Sequence, residues 1–259
     1  MNYHNKVIII SDGTNYIGKN IIEKVCSLGA SVVVTGENLP LGKQIEAEFA
    51  YKGLKVAFFH TALRTENEVN GLIAFTKRMF GKIDTIFVNP VLFDEYLPQN
   101  QENQYWQRMI LLHANKTHLL NQNITNFWAK DDYPGVIINS GFIDRLDDGP
   151  CIIADMTKKD SILLITQQFA RKYKQSSIRI NAICTRYLDM KLLNISGLNQ
   201  DHTGIFDPIR QLGKAKTIAN VIAFLGSSEA SCISGEAYPI CDDYREQVDH
   251  FQSIQGQIA

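Results

Sequence analysis

Asp155 and Lys159 stand four residues apart in a stretch of helical patterning, so they share one helix face and can pair. A carboxylate beside an ammonium is either a mutually neutralising ion pair or an acid–base couple tuned by its surroundings. The five cysteines, Cys26, Cys151, Cys184, Cys232 and Cys241, are scattered and form no CxxC pair, so neither a zinc site nor a disulfide framework is expected. His60, His118, His202 and His250 make no ligand-like pattern, and no metal is expected.

The elements that must position such residues follow one pattern. Short apolar runs alternate with longer helix-like stretches from end to end, as in βαβ units on a parallel sheet. Strands are expected at 7–10, 30–34, 56–59, 85–88, 136–139, 178–183 and 237–240. Helices are expected at 17–28, 106–121 and 155–173, with Gly29 ending the first. The expected architecture is a three-layer α/β Rossmann fold with a doubly wound parallel sheet of about seven strands, in one domain over 1–244. Residues 188–211 are polar and long enough for a lid-like segment, and 245–259 read as a polar tail.

With 259 residues the chain can bury a large core without disulfides or metal. Its 27 acidic and 26 basic side chains leave a net charge of −1, so no basic field points to nucleic acid or a membrane surface. No run approaches the roughly 20 apolar residues of a membrane span. Met1 leads almost directly into the Val7–Ile10 run, which leaves no room for a secretion leader, and a cytoplasmic location is expected.

The order of these elements resembles the short-chain dehydrogenase/reductases over nearly the whole chain. Ser11 to Gly18 stands where that family carries TGxxxGxG, and Gly81-Lys82-Ile83-Asp84 precedes the fourth strand. Ile178-Arg179-Ile180-Asn181-Ala182 is similar to its IRVNA strand, Leu212-Gly213-Lys214 to its late helix, and Ile233-Ser234-Gly235-Glu236 to its ITGQ.

The resemblance implies a dinucleotide at the first turn, where glycines permit a tight bend and close backbone approach to the pyrophosphate. In an ungapped reading Asp12 and Tyr16 replace the first two glycines and only Gly18 remains, although Gly13 could restore the bend if the register slips by one. Asp12 would set a carboxylate beside the phosphates, and like charges about 4 Å apart cost roughly 4 kcal/mol near a surface. Glu37, after the second strand, would favour NAD over NADP, since no arginine follows that strand to meet a 2′-phosphate. Thr61 replaces an aspartate near the adenine, and Asn89 is the one asparagine kept from NNAG. The cofactor-binding candidates are therefore Gly13, Gly18, Glu37 and Asn89. The expectation is no cofactor, or NAD if there is one.

The family's chemistry uses Asn, Ser, Tyr and Lys. Here these positions read His113, Phe142, Asp155 and Lys159. The catalytic candidates are Lys159, Asp155 and His113. Tyr16 at the second glycine position is also similar to halohydrin dehalogenases, whose active-site Ser, Tyr and Arg are absent at the corresponding positions. Three readings follow: a non-catalytic or repurposed binding or assembly protein, a divergent NAD(P)-dependent oxidoreductase, or a cofactor-independent enzyme with dehalogenase-like geometry. A homo-oligomer, dimer or tetramer, is expected from the helices at 106–121 and 155–173, with a small molecule or another protein as further partner.

Overall fold

A computed structural model describes residues 1–89, 102–143, 153–186 and 208–240, with side chains described over 1–89, 111–141, 161–184, 215–238 and at 240. The strands are β1 (Val7–Ile10), β2 (Ser31–Gly36), β3 (Val56–His60), β4 (Thr85–Val88), β5 (Gly135–Ile143), β6 (Ile178–Arg186) and β7 (Ala237–Ile240). They form one parallel sheet in the order β3-β2-β1-β4-β5-β6-β7. The order reverses between β1 and β4, which opens a crevice at the carboxyl ends of those strands.

The helices are α1 (Tyr16–Ser27), α2 (Leu39–Tyr51), α3 (Glu66–Phe80), α4 (Glu102–Lys130), α5 (Ile153–Lys172) and α6 (Pro208–Gly226). The strands' period of two divides their apolar side chains between two cores. Ile8, Ile10, Val32, Val34 and Phe87 pack with α1, α2 and α6 on one face. Ile9, Val33, Ile86 and Val88 pack with α3, α4 and α5 on the other. Both faces are covered, which is why β1 and β2 read as unbroken apolar runs rather than alternating ones.

Local chemistry fixes the helix starts nearest the crevice. Asn15 caps α1 by accepting from the Gly18 amide at 2.8 Å, and Asn38 caps α2 through the Leu41 amide at 3.0 Å. Thr65 and Glu68 form a capping box on α3, and Gly81 closes that helix at φ 82°. Of the lid-like segment, residues 208–211 belong to α6; the remainder, and the tail at 245–259, lie outside the described residues.

Candidate functional site

The turn after β1 keeps the close packing that a Rossmann turn requires. A Cβ on Gly18 would lie 2.1 Å from the Gly13 carbonyl oxygen, so α1 meets the turn backbone to backbone. A Cβ on Gly13 would meet the Val34 and Ile10 side chains at 2.6 and 2.8 Å. The left-handed bend falls at Asp12, with φ 45°, and not at Gly13. A non-glycine residue in that region is uncommon, and aspartate is among the side chains that tolerate it. Hydrogen bonds hold the bend: the Asp12 amide donates to Thr35 Oγ1 at 3.2 Å, and the Gly13 amide to the Thr35 carbonyl at 2.9 Å.

The repulsion expected from Asp12 does not survive in three dimensions. Lys116 of α4 donates from Nζ to its Oδ2 at 2.7 Å, with the lysine side chain only 6% exposed. Burial raises the Asp12 carboxyl's pKa above the usual carboxylate range, and the ammonium opposes that rise. The turn thus presents a compensated charge. Asn89 joins the same corner, donating from Nδ2 to the Asp12 carbonyl at 2.9 Å and from its amide to Ser11 Oγ at 3.1 Å. Its Oδ1 is buried and has no hydrogen-bond partner among the described residues.

Tyr16, at the second glycine position, is half-buried. Its ring packs against the core shared by β1, β2, α1 and α6, while its hydroxyl is buried without a partner among the described residues. Gly13 and Gly18 give the turn the tight packing of a Rossmann turn, and the Asp12 carboxylate is paired. The turn therefore fits a pyrophosphate at α1's N-terminus better than the sequence implied.

At the end of β2, Glu37 has a partner that linear reading missed. Arg64, from the loop after β3, reaches its two carboxylate oxygens at 3.0 and 2.8 Å. Glu68 orders that loop by accepting from the Arg64 and Thr65 amides, both at 2.9 Å. His60 Nε2 contacts the Glu37 carbonyl at 2.8 Å. Thr61, at the adenine-side position, is buried and contacts Glu68 Oε1 at 3.3 Å. Both Glu37 and Arg64 are exposed, so this ion pair contributes little to stability. The Arg64 guanidinium is matched by the Glu37 carboxylate, so the pair offers no net positive charge to a 2′-phosphate.

His113 is buried under β5, and its Nε2 lies 2.7 Å from the Ser140 carbonyl oxygen. A carbonyl only accepts, so Nε2 carries the proton and Nδ1 is the acceptor side. Burial pushes its pKa down to about 4, opposed by that hydrogen bond, so the ring is neutral at neutral pH. Ser140 itself donates from Oγ to the Val88 carbonyl at 2.8 Å. Phe142 lies on β5 and Asp155 and Lys159 on α5, but their side chains fall outside the described residues. No cluster of three or more His, Cys, Asp or Glu able to hold a metal occurs among the described residues.

A doubly wound sheet in this order, with a glycine turn at its switch point, defines the fold of short-chain dehydrogenase/reductases. The chain belongs to that superfamily: residues 14–242 match the enoyl-(acyl carrier protein) reductase family. It is similar to 3beta-hydroxysteroid dehydrogenase 2 of Eggerthella lenta, with 26% identity over 249 residues, covering 92% of this chain and 95% of the relative. Cyclohexanol dehydrogenase of an Acinetobacter species is 25% identical over 244 residues, covering 93% and 96%. In three dimensions the chain is similar to an NAD+-bound xylitol dehydrogenase, with a TM-score of 0.74 at 20% identity, over 94% of this chain and 100% of the other. No helix among the described residues is long and apolar enough to cross a membrane.

Proposed function

We propose that this protein is a divergent short-chain oxidoreductase that binds a nicotinamide dinucleotide, NAD in preference to NADP, in the crevice between β1 and β4. One observation carries the reading. Lys116 neutralises Asp12, which removes the main argument for a turn closed to phosphates. The relatives are oxidoreductases, which supports this reading over that of a non-catalytic protein.

When bound, the dinucleotide supplies or accepts a hydride at its nicotinamide. This chain's own residues would do the rest. The Gly13–Gly18 turn and the N-terminus of α1 would receive the pyrophosphate, and Glu37 would accept from a ribose hydroxyl. Asp155 and Lys159, one turn apart on α5, would carry the proton exchange that the family gives to tyrosine and lysine. The side chain of neutral His113 ties α4 to β5 through the Ser140 carbonyl.

Titration of NADH and NADPH by fluorescence enhancement tests the binding. NADH should saturate near or below roughly 10 µM, about −7 kcal/mol, and NADPH more weakly. Turnover with a panel of alicyclic secondary alcohols and their ketones, suggested by the two relatives, then tests the chemistry. No binding of either dinucleotide would overturn the proposal. Binding without turnover would favour the second reading, a dinucleotide-binding protein without catalysis. That reading has its own observation, since Phe142 and Asp155 replace the family's serine and tyrosine.

A further inference from the structure

The turn after β1 and the middle of α4 are joined by a short ion pair across 104 residues of sequence. Neither partner sits on the open surface: the side-chain exposures are 17% for Asp12 and 6% for Lys116. An ion pair this enclosed gains little over apolar packing, because desolvating two charges offsets most of their attraction. Its placement says more than its energy. Asp12 occupies the left-handed bend three residues before Asn15, the N-cap of α1, so its charge lies close to a helix N-terminus that attracts anions. Of the neighbouring ionisable groups, Glu37 and Arg64 act on Asp12 with opposite signs, the first raising its pKa and the second lowering it, and His113 is neutral. Asn89 is fully buried beside the same bend, with an Oδ1 that has no partner among the described residues.

We infer that Lys116 is a positioning residue for a phosphate-bearing ligand, acting through Asp12: it holds the carboxylate in a compensated pair, so that the turn tolerates the ligand's anionic group. The inference rests on the dinucleotide reading above and concerns which residue makes that reading possible. It applies to any ligand that places a diphosphate at this turn.

Two variants break the same pair with opposite consequences. Lys116→Met removes the cation that opposes the burial-driven rise in the Asp12 pKa and leaves the carboxylate uncompensated when ionised, and Asp12→Asn leaves a cation behind a neutral amide. ADP and adenosine serve as probes, because they differ only in the diphosphate. Calorimetric titration of the full-length protein should show Lys116→Met weakening ADP at least about tenfold, with adenosine unchanged. Asp12→Asn should strengthen ADP several-fold, again with adenosine unchanged. The double variant Asp12→Asn with Lys116→Met should return ADP affinity to near the wild-type value. A structural role alone would move both single variants in the same direction and both probes together. Should Lys116→Met fail to fold, Asp12→Asn decides alone through the sign of its effect on ADP. Wild type that binds ADP, with the single variants weakened equally or unaffected, overturns this inference and spares the dinucleotide reading. Wild type blind to ADP, NADH and NADPH overturns both.

Discussion

The side-chain amides of Asn121 on α4 and Asn139 on β5 face each other in the core, Asn121 donating at 2.8 Å and Asn139 returning a bond at 3.3 Å. Asn139 also donates to Thr166 Oγ1 on α5 at 3.0 Å, so one buried residue ties three elements. Replacing Asn139 by leucine strands the Asn121 carbonyl oxygen in an apolar setting, and an unsatisfied buried polar group costs about 1–3 kcal/mol. Chemical denaturation should report a loss of about 2 kcal/mol. The double variant Asn121→Leu with Asn139→Leu should lose less than the sum of the two single losses, because the pair leaves together. Strict additivity would contradict the mutual pairing.

His113→Asn places the family's residue on α4 and should flatten part of the protein's acid response. The wild-type imidazole titrates near pH 4 when folded and near 6.5 when unfolded. Between those values the unfolded chain binds a proton that the folded chain refuses. Stability from this group is therefore complete above about pH 6.5 and falls as the pH drops toward 4, by about 3 kcal/mol in all. Melting curves at pH 7 and pH 4.5 should show a smaller fall for the variant than for wild type. Equal falls would mean that His113 is not the buried neutral group described.

Gly18→Ala tests the contact between α1 and the turn. The new Cβ would lie 2.1 Å from the Gly13 carbonyl oxygen, and backbone cannot yield as a flexible side chain can. Forced overpacking should cost on the order of 3 kcal/mol and open the turn. Gly53→Ala is the control, with nothing within 4 Å of the added atom, although its φ of 72° adds local strain. NADH affinity should drop in the first variant and hold in the second.

We propose that the chain assembles as a homo-oligomer through α4 and α5. Ile162 and Phe169 are buried within the protomer, whereas Leu164 on α5 and Leu111 on α4 are 54% and 61% exposed. Light scattering should give a multiple of 29.2 kDa, and Leu111→Glu with Leu164→Glu should reduce the mass toward that of one chain. A wild type already monomeric at micromolar concentration would rule it out.

The elements were most legible where apolar runs end abruptly. Val7–Ile10, Thr85–Val88 and Ala237–Ile240 occupy their expected bounds, because turn residues flank short apolar segments. β5 and β6 run further than their apolar cores, to Ile143 and Arg186, because they stay paired to those residues, and Ser140 on β5 is a buried polar residue satisfied by the Val88 carbonyl. α4 extends to Lys130 for a similar reason. Asn121 and Thr125 bond back to carbonyls four residues earlier, which lets polar side chains occupy a core face and hides the helical period. At the site, the glycines and Asp12 were visible as a motif, but their electrostatics were not. Lys116 lies 104 positions from Asp12 and Arg64 lies 27 from Glu37, so neither partner has a local signature.

The span of the Asp12–Lys116 bond also orders events during synthesis. A ribosome releases β1, its turn and α1 long before residue 116 exists. Until α4 emerges and docks, the nascent turn carries an unpaired carboxylate, so a phosphate-bearing ligand has little purchase on the half-made domain. Contacts this distant in sequence close late, after loop entropy has been overcome. On the dinucleotide reading proposed above, a ligand would therefore not template the folding of the N-terminal half and would be captured only by a chain in which β4 and α4 are already in place.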